Sequence, residues 1–202
     1  MADRINLYIS AALDLEDERA LLSRIVTEIP VGLGWRIVQT PRRQEPPDLE
    51  AVAGADMHLL LLGSDIRAPV GLEWLVARRW DRLPVLFLKS QVAHTPAAQE
   101  FIRTLAEVTA WRPFLDSADL RRQVLLLLSD HILAEALHYL LRPVELEKLQ
   151  SWRAELARGG KEVQPEARGG TGESSVILST ERYIPSDGVL IRSPQNPVEQ
   201  TE

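Results

Sequence analysis

Asp56-Met57-His58-Leu59-Leu60-Leu61-Leu62 (DMHLLLL), closed by Gly63, is the stretch whose reading decides the fold. A continuous apolar run bounded by turn signals predicts a strand covered on both faces, the kind found in parallel sheets. Similar segments recur in both directions from it. Upstream lie Arg4–Ser10 (RINLYIS) and Gly34–Thr40 (GWRIVQT); downstream lie Pro84–Leu88 (PVLFL) and a short run at Ala110–Leu115. Helical patterns fill the gaps. Leu15, Leu22, Ile25, Val26 and Ile29 recur at helical spacing behind Asp14, read as an N-cap, and Pro30 stops them. Asp48–Ala53 reads as a short helix, and another runs from about Val70 to Asp81. Thr95-Pro96 opens a further helix to about Val108, with proline at its first position. Strand–helix alternation implies parallel strands joined by right-handed crossovers. Five such strands predict an α/β fold, a flavodoxin-like doubly wound sheet in the order 2-1-3-4-5.

Residues 1–115 are thus expected to form the α/β domain. Beyond them, Ser117 is read as the cap of a long helix to Leu141, and Pro143 begins a second, Val144–Ala157. Residues 116–158 are expected to pack on the sheet, pair as a helical hairpin, or join copies of the chain. The glycine-rich polar stretch 159–174 reads as a flexible linker. Residues 175–202 read as a β-prone tail that docks on its own domain, adds to a partner's sheet edge, or stays disordered.

Composition narrows the function classes. The chain has 202 residues, 45% of them apolar, so a core can form. A net charge of −6 argues against a nucleic-acid partner. Without cysteine there is no disulfide framework, thiolate metal site or thiol catalysis. The first residues lack a signal peptide's apolar region, and no apolar stretch nears the ~20 residues of a membrane helix. The expectation is a cytoplasmic protein with no membrane contact. There is no Walker loop, Gly-x-Gly-x-x-Gly or Gly-x-Ser-x-Gly.

Ligands of open parallel sheets bind outside the carboxyl ends of the strands, where the strand order reverses. Two loops answer to that rule: Ser10, Ala11 and Asp14 after the first strand, and Gly63, Ser64, Asp65 and Arg67 after the third. Small residues let a ligand approach the backbone, and helix N-termini favour anions. Glu73, near the start of the following helix, can face the same crevice, with Trp74 beside it. An acid stabilised by a helix N-terminus is the plainer reading of Glu73.

Tyr8-Ile9-Ser10-Ala11, Asp14-Leu15 and Glu18-Arg19 resemble the opening signature of a bacterial TIR-like domain of unknown function, found at the N-terminus of STAND or NACHT conflict-system proteins. A second block, Ala55-Asp56, Leu59–Leu62, Gly63, Glu73, Ala77 and Pro84–Phe87, resembles the same family. The resemblance spans about residues 4–115. It implies an architecture shared with TIR domains and nucleoside 2-deoxyribosyltransferases, with Glu73 as the catalytic position. It also implies cleavage of an N-glycosidic bond in NAD or a nucleoside. Such cleavage develops oxocarbenium charge that a carboxylate can stabilise or trap. Ser10 and Ser64 would then hold ribose hydroxyls or phosphate, and Trp74 would wall the pocket. NAD enters as a substrate, with no cofactor required. The chain departs from the pattern at Gly71, where the family has serine, at Asp65-Ile66-Arg67, where it often has Tyr-Gly, and in lacking a following NTPase module. A non-catalytic adaptor, docking other chains through residues 117–158 or the tail, therefore stands beside the enzyme reading. Self-association is expected on the analogy that TIR-like enzymes act as assemblies.

His131, Glu135 and His138 lie at i, i+4 and i+7 and so share one helix face, and two histidines with a carboxylate can bind zinc. Arg142 falls on the same stripe, so a polar helix face is expected and no metal is assigned. His58 is expected to be a hydrogen-bonded structural histidine, and His94 a ligand contact at the crevice edge.

Overall fold

The computed structural model describes residues 4–42 and 45–159. Five strands, β1 (Arg4–Ala11), β2 (Gly34–Gln39), β3 (Met57–Leu62), β4 (Val85–Lys89) and β5 (Trp111–Phe114), form one sheet in the order β2-β1-β3-β4-β5. Every pairing is parallel, so this is the doubly wound α/β sheet that the alternation predicts. The six helices are α1 (Glu16–Ile25), α2 (Leu49–Ala53), α3 (Ala68–Arg79), α4 (Pro96–Ala106), α5 (Ser117–Ala134) and α6 (Pro143–Gly159).

Strand alternation sorts side chains between two faces. Ile5, Leu7, Ile9 and Ala11 of β1, with Met57, Leu59 and Leu61 of β3, form one apolar core with Leu22 of α1, Leu125 of α5 and Leu149 of α6. The helices after β5 therefore share the core of the sheet. On the other face, Leu60 and Leu86 pack with Val70 and Trp74 of α3 and Leu105 of α4. Tyr8 there meets Val52 of α2 and Ala77 of α3. All six residues of β3 are buried, as its unbroken apolar run requires.

Several expectations are corrected. Asp14 does not cap α1: a short 3-10 turn over Leu13–Leu15 precedes the helix, and neither turn nor helix has a side-chain cap. The following helix ends at Ile25, with one more 3-10 turn before Pro30. Glu73 is not an N-terminal acid, because α3 starts at Ala68, no acid lies in its first turn, and Glu73 is wholly buried in the next. Asp116, not Ser117, caps α5 by accepting from the Asp119 amide. That helix stops at Ala134 instead of Leu141, so His131, Glu135 and His138 do not share a helix face. His131 Nε2 lies 2.9 Å from the Tyr139 hydroxyl instead. Among the described residues no cluster suits a metal ion, and no helix is long and apolar enough to cross a membrane. The linker and tail expected after Gly159 lie outside the described residues.

Candidate functional site

Polar side chains are concentrated on one sheet face near its carboxyl end. Alternation puts Tyr8 and Ser10 of β1 and His58 of β3 on the side facing α3, whose second turn delivers Glu73 among them. All four are at most 4% exposed. Three hydroxyls converge on the carboxylate. Tyr8 donates to Oε1 at 2.8 Å, while Ser10 and Thr40 donate to Oε2 at 2.6 and 2.7 Å. Thr40, just past β2, is fixed in turn by the Ala11 amide, which donates to its Oγ1 at 3.2 Å.

Proton accounting assigns the rest of the network. Ser10 has a single hydroxyl proton and gives it to Glu73, so its oxygen accepts from His58 Nε2–H, 2.8 Å away. His58 Nδ1 is then a bare, buried acceptor without a partner. Burial holds the His58 pKa down to about 4, so the ring is neutral. It also meets Tyr8 edge to face at 5.3 Å.

Burial pushes the Glu73 carboxyl above the usual carboxylate range, while the bonds from Ser10, Thr40 and Tyr8 and the charge of Arg19 pull it back. Burial first, and then the Glu73 charge, pushes the Tyr8 phenol up. A carboxylate held among neutral hydroxyls in a low-dielectric interior exerts a strong field on any cation formed nearby.

The adjacent opening is a cleft of about 260 Å³ lined by Ala11, Leu13, Thr40, Val70 and three arginines, Arg19, Arg42 and Arg67. Thr40 both lines this cleft and donates to Glu73, so the carboxylate stands one hydroxyl behind its surface. Besides the ends of β1 and β2, Arg67, Pro69 and Val70 after β3 line the cleft, so both loops that the strand-order rule selects reach it. Asp14 ties those two loops together. Its carboxylate crosses to the loop after β3 and accepts from the Ser64 amide and hydroxyl, both at 2.7 Å. Gly63 makes that crossing possible, since a Cβ there would run into the Asp14 carboxylate and Leu15.

The sequence-derived residues are thus divided. Ser10 and Glu73 belong to the buried cluster, and Ala11 and Arg67 line the cleft. Asp14, Gly63 and Ser64 close the gap beside it. Asp65 accepts from the Thr95 hydroxyl at 2.6 Å, a bond that lowers its pKa. Trp74 packs edge to face on Phe101, in the apolar cluster of β3, β4 and α4, away from the cleft lining. His94 keeps a buried Nε2 without a partner and does not line the cleft.

Tyr8, Thr40 and Arg19 escaped the sequence reading, whereas His58 is the hydrogen-bonded, buried histidine it was expected to be. Alternation from Ser10 marks Tyr8 as a neighbour on the same face, and pairing β1 with β3 brings His58 opposite Tyr8. Thr40 is signalled only by the order that places β2 beside β1. Arg19 reaches from α1 to the same strand end, where its Nη2 donates to the Thr40 carbonyl and its Nε to Gln39. Its neighbour Glu18 takes the other direction and pairs with Lys89 at the end of β4, 2.7 Å away.

Comparison with protein-family models, curated proteins and solved structures gave no match.

Proposed function

We propose that this chain is a TIR-like effector or signalling module of a bacterial conflict system, and that it cleaves the N-glycosidic bond of NAD or a nucleoside at the cleft beside Glu73. The observation that carries the reading is a fully buried carboxylate, satisfied only by hydroxyls, one of which lines an arginine-rich cleft at the carboxyl ends of the strands. A fold that needed only stability would fill this position with an apolar side chain, because burying a charge is costly.

The donors around Glu73 also fit the substrate class. A ribose offers hydroxyls, the same group that Ser10 and Thr40 now present to Oε2, so a bound ribose can take over one of those bonds. In cleavage the C1′–N bond breaks and its electron pair leaves with the base. Positive charge develops on the ribose ring, and the Glu73 carboxylate stabilises it. Water then bonds to C1′; its proton passes to solvent when the base leaves neutral, and to the base when the base leaves as an anion. A pyridinium base such as nicotinamide departs neutral and requires no proton. That suits a cleft lined by arginines, which do not act as acids at neutral pH.

A second reading, a non-catalytic adaptor, draws on two observations. Glu73 has no surface of its own in the cleft. Leu137, Leu140 and Val144, around the α5–α6 connection, are exposed, Leu137 by 92%. Chromatographic detection of base released from NAD and a panel of nucleosides separates the two. The enzyme reading expects nicotinamide or nucleobase that disappears in Glu73→Gln. No release by a folded, concentrated sample gives the adaptor reading precedence.

A further inference from the structure

We propose that Arg19 anchors an anion subsite in the cleft and that it takes the phosphate of a phosphorylated ribosyl ligand. This rests on the reading of the cleft as a ribosyl site and deepens it: the ligand is a nucleotide and not a free nucleoside.

The cleft holds a buried cation without an ion pair among the described residues, Arg19, which is 2% exposed. Its Nη2 is engaged by the Thr40 carbonyl and its Nε by the Gln39 side chain at 3.4 Å, and both acceptors are neutral. Nη1 is buried with no partner at all. A guanidinium carries five N–H donors and stays charged, so burial without an anion is expensive. Glu16 and Glu73 act on Arg19 only through space: Glu16 is paired with Arg42, and Glu73 is already occupied by three hydroxyls.

The surroundings repeat the sign. Arg19 lines the cleft together with Arg42 and Arg67, and no carboxylate belongs to the lining. Arg42 is partly neutralised by Glu16 outside the cleft, whereas Arg67 is exposed and joins no ion pair among the described residues. Apart from Thr40, whose hydroxyl proton is given to Glu73, the rest of the wall, Ala11, Leu13, Pro69 and Val70 among it, is apolar. A phosphate there pairs with a charge that no carboxylate among the described residues contacts, and guanidinium–phosphate geometry makes the pair a strong one. The same placement sets the ribose of that nucleotide beside Thr40, one hydroxyl from Glu73.

Calorimetric titration of the full chain with AMP, adenosine and inorganic pyrophosphate tests this without requiring turnover. AMP is expected to bind about 10-fold or more tightly than adenosine, the gain of one charge-assisted contact. Pyrophosphate should compete with it. In Arg19→Lys the single ammonium is held by the Thr40 carbonyl and the preference for AMP should disappear; in Arg67→Ala it should fall about 3-fold. If Arg19→Lys does not fold by circular dichroism, Arg67→Ala and the loss of AMP affinity with added salt decide alone. Equal affinity for AMP and adenosine, absence of AMP binding, or a preference untouched by the folded variants overturns the subsite. Base release from nucleosides as fast as from nucleotides would sink the subsite and leave the glycosidase reading standing. Arginine-dependent AMP binding with no base release would do the reverse.

Discussion

The two faces of this sheet are made from the same strands and put to different uses. Toward α1, α5 and α6 the strands present Ile5, Leu7, Ile9, Leu59, Leu61 and Phe87, an uninterrupted apolar layer. Toward α3 the same strands present Tyr8, Ser10 and His58, joined by Thr40 and Glu73, all buried. The first face accounts for stability by removing apolar surface from water, at roughly 25 cal/mol per Å². The second faces a desolvation cost that its hydrogen bonds largely offset without reversing. One sheet therefore separates the work of folding from the work of holding a buried carboxylate. Layered folds permit this because alternation lets each strand serve two environments at once.

The largest effect expected of a single change tests whether the faces differ in kind. Leu59→Ala should cost about 3 kcal/mol through lost packing and a cavity. Glu73→Ala should cost about as much for another reason, since three buried hydroxyls lose their acceptor. Urea titration of both measures the pair. The distinguishing sign is rescue: Glu73→Gln, which keeps an acceptor oxygen, should recover at least half of the Glu73→Ala loss. No substitution on the apolar face that restores polarity without volume should help Leu59→Ala.

On the α3 face acid should act through two groups of opposite sense. His58 has a folded-state pKa of about 4 against an ordinary 6.5, so the unfolded chain binds the proton first as pH falls. The stability held by the neutral ring is complete above the ordinary value and lost as pH drops toward the folded one. Between about pH 7 and about pH 5 that amounts to about 2 kcal/mol. Glu73 works in the opposite sense. Its raised pKa means that the folded state holds the proton more tightly, so its contribution increases on acidification. Denaturation midpoints across this range should therefore fall more steeply in Glu73→Gln than in the wild type, and less steeply in His58→Leu, where the lowered pKa of half-buried His131 still contributes. Parallel curves for all three would show that the face does not titrate.

Smaller effects concern the bridge from Asp14 to the loop after β3. Gly63→Ala should cost about 1–2 kcal/mol by overpacking against Asp14 and Leu15. Adding Asp14→Ala should return part of it, a coupling that a double-mutant cycle reads. The smallest change is a gain. A Cβ at Gly71 meets nothing within 4 Å, so Gly71→Ala should stabilise α3 by about 0.5–1 kcal/mol, visible as a higher melting temperature.

The apolar face was the more legible of the two. DMHLLLL, its neighbouring runs and the helical spacing between them report burial directly, and burial by alternation is what fixes a parallel sheet. Ser10 and Glu73 were also within reach, one at a strand end and one on the helix that follows β3. Thr40 and Arg19 were not, because their roles exist only once β2 lies beside β1 and α1 crosses to the end of β2. Asp14 was misread for a related reason. Its spacing fits a cap, but a neighbouring loop 50 residues later offers both an amide and a hydroxyl, and these capture the carboxylate. Local patterns report local partners, and this site is assembled from distant ones.

The central claim is that the polar cluster serves chemistry and is dispensable for folding. The most direct measurement is base release from NAD by a chain whose α3 face has been made apolar, with Tyr8→Phe, Ser10→Ala, Thr40→Val, His58→Leu and Glu73→Leu together. The account predicts a folded protein, no less stable than the wild type, that releases no nicotinamide. A variant that folds and releases it at the wild-type rate, or one that cannot fold without those five polar groups, would contradict it.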